Sequence, residues 1–117
     1  MDATRGEARR VVIADPHAEC GETLVALLRA HGWKAYSARS GKRALALVRR
    51  LHPCVVVTET SLGDLSGAEL ARLVRESEGD ATHIVVLTAW DCPTTGFDGF
   101  FLKPAEPEAL LGRLAAF

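Results

Sequence analysis

Three short strand-like runs, the first of them unbroken apolar, limit what this chain can fold into. They are Val-Val-Ile-Ala at 11–14, Cys-Val-Val-Val-Thr at 54–58 and His-Ile-Val-Val-Leu at 83–87. A strand with one face in water alternates apolar and polar residues. A run that does not alternate is apolar on both faces, as in a parallel sheet covered by helices on each side. The β-branched content of the second run strengthens its assignment as a strand.

The segments between these runs have helical spacing. Leu24, Leu27 and Leu28 share a face, and Gly32 stands where a helix would stop. Lys34 opens a short second strand over residues 34–37. Ser40-Gly41 then opens a helix with Ala44, Leu45, Val48 and Leu51 on one face, closed by Pro53. After a loop over 59–65, Ser66 and Glu69 have the spacing of a capping box ahead of Leu70, Leu73 and Val74. Residues 99–102 make a fifth strand. Residues 106–116 make a last amphipathic helix with Leu110, Leu111 and Leu114. This alternation predicts one α/β domain over 1–117, a doubly wound five-stranded parallel sheet, with residues 1–9 as a flexible N-terminus.

One crossover is too short. Only nine residues, 90–98, separate Ala89 from Gly99, whereas a helical crossover needs about 10–12. Pro93, Thr94, Thr95 and Gly96 are also poor helix formers. The fourth helix is therefore expected to be a single turn or missing. That would leave a thinly covered flank near strands four and five, a natural docking surface.

The formal net charge of −1 gives no global field towards nucleic acid or membrane. The charge is uneven. Residues 1–50 carry ten Lys/Arg against five Asp/Glu, and residues 51–117 carry four against ten. Much of the positive charge sits at Arg39, Lys42, Arg43, Arg49 and Arg50 and reads as a solvated helix face, ahead of a nucleic-acid patch. Three cysteines, Cys20, Cys54 and Cys92, lack metal-ligand spacing and point to free thiols in a reducing cytoplasm. No apolar run reaches the roughly 18 residues of a membrane span, and the polar N-terminus is not a signal peptide.

In open α/β sheets, sites form beyond the carboxyl ends of the strands. Here those ends carry Asp15, Glu59, Thr88-Ala89 and Lys103-Pro104, so two carboxylates, a hydroxyl and an ammonium share one rim. Asp15 reads equally as a metal ligand and as a helix N-cap. His17, Asp91 and Cys92 lie on the same rim, without recognised metal spacing. His31, His52 and His83 read as structural, Cys54 as a small buried hydrophobe, Trp33 as packing, and Trp90 as packing ahead of a partner contact.

The Val-Val-Ile-Ala-Asp15 run, Glu59-Thr-Ser-Leu-Gly-Asp-Leu-Ser-Gly67, Leu-Thr88-Ala89 and Phe100-Phe-Leu-Lys103-Pro104 occur in order at the strand ends. Together they resemble the receiver domain of two-component response regulators across residues 10–116. The resemblance implies a CheY-like fold with strand order 2-1-3-4-5. It also implies phosphoryl transfer from a histidine kinase to an aspartate, assisted by Mg²⁺. Thr88 and Lys103 would bind the phosphoryl group and Phe100 would act as the switch aromatic.

Three features depart from that pattern. The phosphoacceptor position is Glu59, and an extra methylene displaces its carboxylate by about 1 Å in chemistry that tolerates little displacement. The family's acidic pair is Asp15-Pro16, and proline brings no carboxylate to a Mg²⁺ site. The fourth helix, part of the usual output surface, is curtailed. The expectation is a degenerate receiver: not an enzyme, holding no cofactor, with Asp15 left as a weak metal ligand. Glu59 would pair with Lys103 in place of a phosphate bridge. Such a module would signal through a protein partner, a histidine kinase or downstream effector, or by homodimerising. Alternatives are a working phosphoacceptor, and a flavodoxin-like cofactor protein, against which no phosphate loop follows strand one.

Overall fold

A computed structural model describes residues 9–88, 96–102 and 106–117. The elements run β1 (Arg10–Ala14), α1 (Ala18–Ala30), β2 (Lys34–Ala38), α2 (Gly41–Leu51), β3 (Val55–Thr58), α3 (Gly67–Glu78), β4 (His83–Thr88), β5 (Gly99–Leu102) and α4 (Pro107–Ala115). A 3-10 turn at Gly79–Ala81 joins α3 to β4. The strands form one sheet in the order β2-β1-β3-β4-β5, every pair parallel. In register, Val11 stands between Ala35 and Val55, and Val55 pairs with His83.

The apolar runs are explained by the two cores. Successive side chains of a strand point to opposite faces. Val12 and Val56 accordingly pack with Leu45, Val48, Leu70 and Val74 of α2 and α3. Val11, Ile13, Val55 and Val57 pack on the other face with Leu28 of α1 and Leu110 and Leu114 of α4. Trp33 is buried in this second core. Each fully buried aliphatic side chain contributes roughly 1.5–3 kcal/mol, so both faces of the sheet are needed.

The helix ends agree with the sequence signals. Gly32 follows the C-cap of α1 with φ of 90°, a conformation that costs glycine little. Ser66 and Glu69 form the expected capping box, Glu69 N–H donating to Ser66 Oγ at 3.0 Å and Ser66 N–H to Glu69 Oε1 at 3.1 Å. At the end of α2 the left-handed position falls on His52, with φ of 47°, just before Pro53. Its Nδ1 lies 2.7 Å from Glu78 Oε1 at the end of α3, an anchor for this unfavoured conformation.

The expected shortening or loss of the fourth helix concerns the crossover 90–98, of which residues 90–95 lie outside the described residues. So do Trp90, Asp91 and Cys92, and the N-terminal residues 1–8. Among the described residues, no helix is long and apolar enough to cross a membrane.

Candidate functional site

The sheet carries Asp15 and Glu59 to adjacent positions on its carboxyl rim. Asp15 N–H donates to Ala38 O and Glu59 N–H donates to Ala14 O, each at 3.0 Å. The parallel ladder therefore extends one residue past β1 and β3. Asp15 is buried, and Oε1 of Glu59 is buried as well. Thr88 ends β4, fully buried, opposite Leu102 in β5. Phe100 is half-buried in β5, opposite Val86. Lys103 and Pro104 lie outside the described residues, as does any contact of Lys103 with Glu59.

Asp15 is not a helix N-cap. The N-cap of α1 is His17, which makes no side-chain cap. Asp15 Oδ1 instead accepts the backbone N–H of His17 at 2.8 Å and lies 3.2 Å from His17 Nδ1. This folds the β1–α1 link into an Asx-type turn and fixes the carboxylate at the rim.

The loop after Glu59 is closely tied. Thr58 Oγ1 donates to Glu59 O at 2.9 Å, and Gly67 N–H donates to Thr60 O at 2.8 Å. Ser61 and Ser66 form a β-bridge, and Leu62 is buried in the α2–α3 core. Asp64, which sequence reasoning did not single out, crosses to α2. Its Oδ1 accepts Gly41 N–H at 2.8 Å and Leu65 N–H at 2.9 Å, and its Oδ2 accepts Lys42 N–H at 3.0 Å. The Lys42 and Gly41 amides hold its carboxyl below the ordinary aspartate range. The sequence showed the need for an anion here but not the residue that meets it. The first turn of α2 has no acidic residue but contains Lys42 and Arg43, so the helix dipole lacks a local anion. A carboxylate from elsewhere in the chain answers that need.

A second overlooked group lies at the opposite end of the sheet. Asp98 Oδ2 accepts from Arg75 Nη2 and from Ile84 N–H, both at 2.7 Å. His83 is nearby, its ring stacked on Phe117 with centroids 4.5 Å apart. His83 and His52 therefore have structural settings, as does His31, whose Nδ1 lies 3.0 Å from Leu27 O. Cys54 is only half-buried, its Sγ 3.3 Å from Arg10 O.

The donor set does not suit Mg²⁺ well. Six hard oxygens in near-octahedral geometry are wanted. The rim offers Asp15, already accepting from His17, together with Glu59, while Pro16 adds no side-chain oxygen. Among the described residues, no group of three or more His, Cys, Asp or Glu side chains is placed to hold a metal ion.

Comparison with known proteins shows the family and the fold. The model of the response regulator receiver domain family matches residues 11–115. MtrA of Mycobacterium tuberculosis, named a DNA-binding response regulator, is 30% identical over 123 aligned residues, covering 99% of this chain and 52% of MtrA. TcrX of the same organism, a probable transcriptional regulatory protein, is 32% identical with the same coverage. The chain thus spans about half the length of these curated relatives. Among solved structures, the chemotaxis protein CheY4 of Vibrio cholerae superposes with a TM-score of 0.85 at 25% identity, covering 93% of this chain and 98% of that one. A CheY-like receiver domain from Methanospirillum hungatei shares the fold with a TM-score of 0.88 at 18% identity, covering 94% and 93%.

Proposed function

Since the chain belongs to the response regulator receiver domain family, we propose that it is a phosphorylation-independent receiver module of two-component signalling that acts by protein–protein contact. The observation that carries this reading is Glu59 at the end of β3, one ladder step from Asp15-Pro16. Acyl phosphate formation needs an aspartate-length nucleophile and a complete Mg²⁺ shell, and both are altered at the same rim. Glu59, with its extra methylene, would reach Lys103 and hold a standing ion pair, with Thr88 and Phe100 set in one switch state. Asp15 retains at most weak metal affinity.

The partner in this reading is a histidine kinase or a downstream effector protein, with a second copy of the chain as the alternative. The DNA binding named for MtrA is not carried over to this module. Its formal net charge of −1 supplies no field for it. The free thiols of Cys20 and Cys54 suit a reducing cytoplasm.

Intact mass spectrometry after incubation with acetyl phosphate and Mg²⁺ tests the reading. A variant carrying both Glu59→Asp and Pro16→Asp runs beside the unmodified protein. Phosphoryl uptake by the variant alone is expected. Uptake by the unmodified protein would show that the site still accepts phosphate and would overturn phosphorylation independence.

A further inference from the structure

The basic residues of α2 do not form one even surface. Arg43 and Arg50, with Ala46 and Leu47 between them, line a groove of about 780 Å³ together with Ser37 and Ala38 of the edge strand β2 and residues from the start of α1. Arg39, and Ala18, Gly21 and Glu22 of α1, also line it. Positions 43, 46, 47 and 50 share one helix face, and the rise of an α-helix puts the two arginines about 10 Å apart along it. None of the side chains of Arg39, Arg43 and Arg50 has a hydrogen-bond or ion-pair partner among the described residues. Elsewhere, Arg29 is bound to Ala35 O and Arg75 to Asp98 and Thr82 O.

We infer that this groove docks an acidic amphipathic helix of a partner protein. Two carboxylates seven residues apart on the incoming helix match Arg43 and Arg50, whose own spacing is seven. Small residues between those carboxylates pack on Ala46 and Leu47. Glu22 of α1, which also lines the groove, favours a basic residue on the incoming helix, so lining charges of opposite sign fix its orientation. Asp15 and Pro16 also line the groove, so a docked helix touches the β1–α1 turn. The inference stands whether or not Glu59 accepts phosphate.

Other occupants suit the groove less well. Pockets for small molecules bury about 70–90% of their ligand, but here Arg39, Arg43, Ala46 and Arg50 are all exposed. A nucleic-acid backbone would meet Glu22 and Asp15 and would bypass Lys42 and Arg49, which do not line the groove.

The probe is a capped helical peptide of about 18 residues, long enough to hold helix in water, with two glutamates seven apart on an Ala/Leu face. A twin carries lysine at those two positions. Each is titrated into ¹⁵N-labelled protein, as are inorganic pyrophosphate and duplex DNA. The glutamate peptide is expected to shift amides within 18–22 and 37–50. The double variant Arg43→Glu, Arg50→Glu should weaken it by about tenfold or more and bind the lysine twin instead. Both arginines are exposed, so the variant keeps its fold, which its far-UV circular dichroism verifies. No shift in those segments, or equal binding to the double variant, would overturn the inference. So would stronger shifts there from pyrophosphate or duplex DNA, which would make the groove a small-anion or nucleic-acid site.

Discussion

Gly67 sets how close α3 comes to the β3–α3 loop. A Cβ at this position would stand 2.3 Å from Glu59 O. That oxygen is backbone and already accepts the Thr58 hydroxyl, so it has little freedom to withdraw. Gly67→Ala is expected to destabilise the protein by about 1–3 kcal/mol, the usual range for overpacking, read as a lower urea midpoint with unchanged slope. Gly112, exposed in α4, makes the contrast, because a Cβ there would meet nothing within 4 Å. Gly112→Ala should stabilise by about 0.5–1 kcal/mol. Equal effects at the two glycines would refute the close-approach argument. The sequence motif ending in Gly67 marked this glycine as part of a pattern. Its physical reason, a carbonyl eight positions earlier, is a tertiary contact that no local pattern displays.

At the scale of elements, local periodicity was informative and long-range polar contacts were hidden. The apolar runs at 11–14, 54–58 and 83–87 gave strands buried on both faces, because burial is written into side-chain alternation. The capping box at Ser66 and Glu69 was legible because both partners lie in one turn. Asp64 was not, since its partners Gly41 and Lys42 are more than twenty positions earlier. Asp64 clamps the loop after Glu59 to the first turn of α2, where Lys42 and Arg43 oppose the helix dipole. Asp64→Ala should therefore speed hydrogen exchange at the Gly41, Lys42 and Leu65 amides. The Val56 amide, inside the core of the sheet, should respond much less, because local opening does not require global unfolding. A uniform acceleration across all four amides would mean that Asp64 supports global stability rather than this one junction.

For the whole molecule, the sheet is fastened at two ends by different chemistry. Its carboxyl rim, with Asp15, Glu59 and Thr88, was foreseen from strand ends, which is where an α/β sheet must place a site. Its amino end was read only as structural histidines. The acid that organises it, Asp98, lies in the short link before β5 and gave no pattern of its own. Asp98 joins three elements: Arg75 of α3 through its guanidinium, Ile84 of β4 through its amide, and β5 through the chain. Partial burial alone would raise its carboxyl pKa. The hydrogen bonds from Arg75 and Ile84 N–H, with the charges of Arg75 and His83, outweigh burial and hold it below the ordinary aspartate range. A carboxylate with a depressed folded-state pKa stabilises the fold at pH values above its unfolded value, near 3.9. That contribution disappears as pH falls through the lower, folded value. Asp98→Asn keeps the shape and removes the charge. It should cost about 1–2 kcal/mol near pH 7, modest because the side chain is 30% exposed and partly screened. Urea denaturation of the variant and the parent at pH 7, 5 and 3 measures the difference. The gap should hold from pH 7 to 5 and narrow towards pH 3, as the unfolded parent begins to protonate the same carboxyl. A gap that stayed constant down to pH 3 would mean that packing, and not the ionised carboxylate, fastens this end of the sheet.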